Sequence, residues 1–432
     1  MSANPSVVIS IKPRTKTLDL PSRGGVILQG IVKLGALILF PGYVIYHYSL
    51  IVGWIPAFAG GLFGVSALAL SSVGVVYLLA NWLPTRYAAP QLERFFSAFI
   101  LYLLVCTAIG AVSMAGRPYM SEAIAQSLAT LVIWLAVYLV GACLRLHVGR
   151  TGLILAGFAL GVIVCFAHAV AVNASFVGPF IAFSAGGLED NDVSTYQGIG
   201  RSLVVTALLI AAVLPRLTSQ LAVFVLAVIM LLSLGSRAHL FVMMLVLLFQ
   251  VAFFGFRGRN WPIGVLAVIV VVGVGYAMAS IFFETRASEI FDLAQSTSWQ
   301  ARQAATWDAI RVIEASPLFG DLGYHFRDAS TYAHNALSVW AAYGVVAFVW
   351  FFALMIYSLS ISAYRAVLCR RSSPLWVLAL QFNFVALVLA LASESIFTSV
   401  FPAMAWGVTA QALRSEQRYT IEAVADYVKP IE

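Results

Sequence analysis

Long apolar runs separated by short polar breaks dominate the chain from about residue 27 to about residue 413. A helix needs about 20 mainly apolar residues to cross the hydrocarbon of a bilayer. That length predicts twelve membrane-spanning helices, at 27–47, 50–80, 96–115, 122–143, 151–172, 199–214, 218–234, 238–254, 261–281, 336–363, 374–392 and 396–413. The second run is long enough to tilt, to kink at Pro56 or Gly60-Gly61, or to split in two. Most connections are short, but 173–198 and 282–335 are not. Long ordered loops on a compact scaffold tend to be functional.

The predicted organisation is an N-terminal segment (1–26), nine helices (27–281), a long loop (282–335), three further helices (336–413) and a tail (414–432). Composition supports this all-α integral membrane reading. Apolar and aromatic residues make up 62% of the 432 residues, charged residues only 10%, and mean hydropathy is +0.94, too little polar surface for a water-soluble globule. The net charge of +7 does not form a basic tract, which argues against nucleic-acid binding. Cys106, Cys143, Cys165 and Cys369 show neither CxxC nor Cys/His metal spacing. The first apolar run has no A-x-A site at its end and reads as a retained span.

Charge then orients the helices. With both termini cytoplasmic, most of the 25 Lys and Arg residues fall on the cytoplasmic side, as the positive-inside rule requires. Arg117, Arg201, Arg237, Arg286, Arg302, Arg311 and Arg327 fall on the other side, as do both long loops, so any chemistry is expected to face outward.

In the second long loop, Trp299 to Ser316 has helix-forming composition, with Trp307, Ile310 and Ile313 on one stripe and Pro317 and Gly320 to stop it. An amphipathic helix capping the bundle is expected. His334-Asn335 sits where this loop re-enters the membrane. Histidine ionises near neutrality and can accept a hydroxyl proton, and neighbouring arginines would keep it neutral; the bland alternative is a histidine that anchors a helix end. His325, His239 and His168 favour that structural reading. Arg201 and Arg237 lie against apolar helices, where an ionisable group needs a partner. A phosphate suits guanidinium geometry, and Glu394, between the last two spans, is the competing protein partner. Asp190-Asn191-Asp192 has a D-x-D form, but no phosphate-cradling glycine loop accompanies it, so it reads as a solvated acidic turn. No GxxxxGK[ST] motif supports ATP-driven transport.

Three features together resemble the bacterial O-antigen ligase and O-antigen polymerase superfamily: Ser236-Arg237 opening a span, the Trp299–Gly323 stretch containing SPLFGDLG, and His334-Asn335 followed by Gly344. The resemblance covers about 200–415, and the twelve-span topology with its late outer loop extends it. It implies a membrane glycosyltransferase of GT-C type in the bacterial inner membrane, with its active site facing the periplasm. Such an enzyme inverts configuration, uses no metal or cofactor, and moves a polysaccharide from an undecaprenyl-diphosphate-linked O-antigen donor to a hydroxyl of the lipid A-core acceptor. Residue by residue it implies Arg237 and Arg201 as the diphosphate clamp and His334 with Asn335 at the acceptor hydroxyl, with Glu394, Arg327 and Ser236 in support. No outer arginine has a glycine eleven positions on, which turns the reading toward ligase and away from polymerase. A twelve-helix transporter or a lipid-linked glycan flippase is the alternative from another class, although the two halves show no repeat.

Overall fold

A computed structural model describes residues 23–56, 63–82, 91–145, 150–172, 196–234, 236–257, 269, 297–327, 333–369 and 373–428. The expected span at 261–281 falls outside the described residues except at Ile269. Residues 1–22, Asp190 to Asp192 and Arg286 also lie outside them.

The described residues contain helices and turns, with no strand among them. Helix α1 (Arg23–Leu37) passes through a π-helical turn at Ile38–Gly42, around Pro41, into α2 (Tyr43–Ile51). There follow α3 (Phe63–Trp82), α4 (Gln91–Ser113), α5 (Met120–Cys143), α6 (Arg150–Val172), α7 (Tyr196–Val213), α8 (Leu217–Ser233) and α9 (Arg237–Arg257). After α10 (Thr297–Ala315) come α11 (Leu337–Ala363), α12 (Pro374–Ala392) and α13 (Phe401–Val428). Six runs among the described residues are long and apolar enough to cross a membrane: Val26–Leu50, Phe63–Ala80, Gln91–Ser113, Met120–Cys143, Leu337–Leu368 and Pro374–Ala392. Four shorter apolar helices accompany them, at Ile154–His168, Gln197–Val213, Leu217–Leu232 and Arg237–Ala252.

Three expectations change, two of them helix boundaries. The apolar run at 50–80 is not one helix. Its first residues end α2 in a Schellman stop, with Gly53 at φ +76°, its N–H on Leu50 O (3.1 Å) and the Trp54 N–H on Ser49 O (2.8 Å). Hydrophobicity runs on through this stop, which is why the pattern alone extends the helix too far. The last span, expected at 396–413, instead starts at Phe401, with Pro402 in the first turn, where no N–H is needed. Residues 393–400 are a buried non-helical link whose backbone groups find side-chain partners: Ser338 Oγ accepts the Ile396 N–H (2.9 Å), and the Trp134 indole donates to Ser399 O (2.8 Å). The third difference concerns the loop helix, which forms as expected but faces otherwise. Ala305 and Ala309 are its buried positions and Ile313 is half-buried, whereas Trp307 is 62% exposed. Small residues let α10 approach α11 closely, and an indole on that face would hold them apart.

Helices α5 and α13 cross in backbone contact. A Cβ on Gly141 would lie 2.7 Å from Met404 O, and one on Gly407 would lie 2.4 Å from Tyr138 O, so both positions require glycine. Buried polar side chains add cross-links of the kind seen between helices in apolar surroundings. Gln250 bridges Gln220 and Gln381 at 2.6 Å each, and Thr409 receives hydrogen bonds from Ser358 (2.9 Å) and Asn383 (3.0 Å). Glu93, almost wholly buried, pairs with Arg414 at 3.2 Å. This packing brings the second turn of α7, the first turn of α9 and the 393–400 link to one place.

Candidate functional site

Glu394 is the centre of that place. Its link is held away from helical geometry at Ser393 (φ −157°), and the carboxylate enters the interior, 5% exposed. Arg201, in the second turn of α7, donates from Nε to Glu394 Oε1 at 3.1 Å. His239, in the first turn of α9 and 2% exposed, places Nε2 at 2.9 Å from the same oxygen. Its other ring nitrogen, Nδ1, lies 2.8 Å from Ser236 Oγ. Ser236 immediately precedes α9, and its carbonyl accepts the first helical bond, from Leu240 N–H (2.9 Å). Arg237 is the first residue of α9 and is half-buried beside this set.

The protonation pattern follows from the partners. Burial pushes the Glu394 carboxyl up, but Arg201 and His239 outweigh it and hold it down to about 2. An ionised Glu394 only accepts, so His239 Nε2 carries a proton toward it. Its Nδ1 shares a hydrogen bond with the Ser236 hydroxyl. The second oxygen, Glu394 Oε2, is buried with no hydrogen-bond partner among the described residues. Arg201 is the better exposed member of the pair, with 18% of its side chain accessible. It can therefore turn a guanidinium edge toward a ligand while Glu394 fixes its position.

Close approach of α7 and α9 makes this possible. A Cβ on Gly200 would lie 2.6 Å from Ser236 Oγ and 3.1 Å from His239 Nδ1. Gly200→Ala is therefore expected to push α9 away and weaken the Ser236–His239–Glu394 chain. The expected measurements are a melting temperature lowered by several degrees and reduced activity in the same preparation; an unaltered Tm would show that the helices separate without cost.

His334 and Asn335 are stitched to the same link from the other side. The Ala336 N–H donates to Ala390 O at 2.6 Å, and Ser338 receives the Ile396 N–H, so the start of α11 grips both flanks of Glu394. His334 is half-buried; burial first, and Arg302 second, lower its basicity and favour the neutral ring. Asn335 Oδ1 accepts the Leu337 N–H at 3.0 Å, and its carbonyl accepts from Ser338. The carboxamide oxygen is thus taken by the first N–H of α11, leaving the amide nitrogen as the group able to meet a ligand. Arg327 belongs elsewhere: it pairs with Asp321 and donates to the Tyr119 hydroxyl at 3.0 Å, in an exposed group that also includes Arg117.

In the sequence Glu394 stands as the competing protein partner for Arg201 and Arg237; the structure pairs it with Arg201 and adds His239, a residue whose sequence context favours a structural reading. The signal was the spacing of three between Ser236 and His239, which puts both on one face of a helix start. His325 and His168 do behave structurally: His325 is buried, its basicity lowered by burial to about 4, with Nε2 on Gln126 (2.8 Å), and His168 bonds the Tyr48 hydroxyl (2.7 Å). Compared with protein-family models and with curated proteins, the chain matches none.

Proposed function

We propose that this chain is an O-antigen ligase, which transfers a polysaccharide from undecaprenyl diphosphate to a hydroxyl of the lipid A-core. In this reading it is a GT-C type enzyme of twelve spans in the bacterial inner membrane, with both termini cytoplasmic and the site facing the periplasm. The observation that carries the reading is the convergence on one buried carboxylate of Arg201 and the Ser236–His239 pair, at the head of the helix that Arg237 opens, with a neutral-leaning histidine anchored at the edge of the same link. The resemblance of the motifs to the ligase and polymerase superfamily supports the same choice.

Diphosphate is a good leaving group, so transfer calls for cations against its developing charge and a group that takes the acceptor proton. Arg237 and Arg201 supply the charge. Glu394 keeps Arg201 in one rotamer, so that the guanidinium is oriented before substrate arrives. His334, neutral at working pH, takes the acceptor hydroxyl proton as the new glycosidic bond forms and the bond to diphosphate breaks on the opposite face. Ser236, next to Arg237, can donate its hydroxyl hydrogen to a phosphate oxygen when that hydrogen is not turned to His239.

Purified protein, lipid-linked polysaccharide and lipid A-core are expected to yield polysaccharide-bearing core without ATP and in the presence of EDTA. Arg237→Lys keeps the charge and removes the bidentate edge, and is expected to lower the rate at least about tenfold. Equal rates for the two proteins would make Arg237 a structural cation. Deletion of the gene separates the acceptors: naked core with accumulated lipid-linked polymer marks the ligase, whereas core bearing a single repeat marks a polymerase.

A further inference from the structure

Helix α11 is broken near its start. Gly344 sits at φ +82°, ψ 175°, so the regular bond from Val345 N–H back to Ala341 O is absent. Both groups are re-partnered by one turn of the preceding loop. The Val345 N–H donates to Pro317 O (3.0 Å), and Ala341 O accepts the Asp321 N–H (2.7 Å). The Trp340 indole also donates to Pro317 O, at 2.9 Å. The contact is backbone on backbone: a Cβ on Gly320 would lie 2.6 Å from Gly344 N, and one on Gly344 would collide with Leu318 O. The 317–320 turn is therefore locked against α11 by the chemistry of the helix break.

At the tip of this locked turn stand two large apolar side chains, Leu318 (60% exposed) and Phe319 (75% exposed). Water is a poor solvent for both, and a loop free to turn would bury them. The surface beside them is the exposed apolar stripe of α11, which runs on through Val346, Val349 and Ile356. Leu337–Leu368 is long and apolar enough to cross a membrane, so lipid suits that stripe. Arg365, paired with Glu416, marks the polar edge at the far end. Roughly 20 residues of helix span the hydrocarbon, which from Arg365 reaches about Val345. The break at Gly344, and the turn locked to it, thus fall at the opposite edge of the hydrocarbon.

We propose that the 317–320 turn is a membrane-inserted element, with Leu318 and Phe319 among the phospholipid acyl chains of the leaflet nearer the start of α11. The bilayer then helps to hold the turn that completes the broken helix. This holds whatever reaction the chain carries out.

Phe319→p-benzoylphenylalanine in the full chain, reconstituted in phosphatidylethanolamine and phosphatidylglycerol vesicles, tests the assignment. Phe319 is three-quarters exposed, and the substitution leaves the backbone bonds of the turn in place. Irradiation of the monodisperse preparation is expected to add the mass of one phospholipid, with a yield near that of the same probe at Val349 and several-fold above that at Arg311, whose side chain is 77% exposed on α10. A yield at 319 no higher than at 311 would overturn the proposal, as would a dominant adduct with a second copy of the chain or with another protein.

Discussion

His334→Ala is expected to lower glycan transfer by about 10²-fold or more, the range typical of a lost general base, while the melting temperature changes little. His334 is half-buried at the re-entry to α11, where the Ala336 N–H bonds Ala390 O and Ser338 Oγ accepts the Ile396 N–H, so the junction is tied by neighbouring residues. The pH dependence gives the assignment a second reading. Burial and Arg302 both lower the pKa of His334 below 6.5, so the neutral, basic form persists to more acidic pH than for an ordinary histidine. The acid limb of kcat/KM should therefore lie below pH 6.5 in the wild type and vanish from the residual activity of His334→Ala. Arg302→Gln should move that limb back toward 6.5 without abolishing transfer. An acid limb that stays in place in His334→Ala would assign the titrating group elsewhere.

Glu394→Ala is expected to cost about 3–5 kcal/mol of stability, because breaking a buried ion pair from one side leaves the other charge unpaired. Arg201 and His239 both lose their partner in this variant. Arg201→Ala alone should cost less, since His239 still bonds the carboxylate. The double variant should be more stable than the sum of the singles predicts, because the stranded cation has gone. Strict additivity in unfolding experiments would mean that the pair is not coupled. The sign of the pH effect follows from the depressed carboxyl. Its contribution is complete above the ordinary value of 4.5 and is lost only as pH falls through about 2. This group therefore leaves stability flat between about pH 8 and about pH 5, and the wild-type advantage over Glu394→Ala should persist across that range. Activity should fall with stability in Glu394→Ala. Glu394→Gln, which keeps the shape and can still accept from His239, isolates the loss of charge.

Helix positions were legible in the sequence because apolar run length is a property of the chain itself. The starts of α4, α5, α7, α8, α9 and α12 lie within a few residues of the expected ones. The errors came where hydrophobicity and backbone geometry disagree. Gly53 stops a helix in the middle of an apolar run, and Phe401 begins one only after a buried link whose polar backbone is satisfied by Ser338 and Trp134. Neither partner is near the link in sequence, so no local pattern can announce it. Trp307 illustrates a related limit, because periodicity finds an apolar stripe but not which face a neighbour of small residues will accept.

The sequence by itself determined that this is an apolar helical chain whose rare charges are conspicuous, and it singled out Arg201, Arg237, Glu394 and His334 on that ground. A charge among apolar helices is costly, so its presence alone signals a partner or a ligand. Which partner each charge takes was decided only by the tertiary structure. Glu394 joins Arg201 and His239 from elements 193 and 155 residues away in the chain, through a glycine contact at Gly200 and a link held open from the far side of α11. Distances of that kind depend on how helices cross, and crossing depends on side chains from several segments at once. The same reason explains why His239 stood among the structural histidines in the sequence and at the middle of the candidate site in the fold.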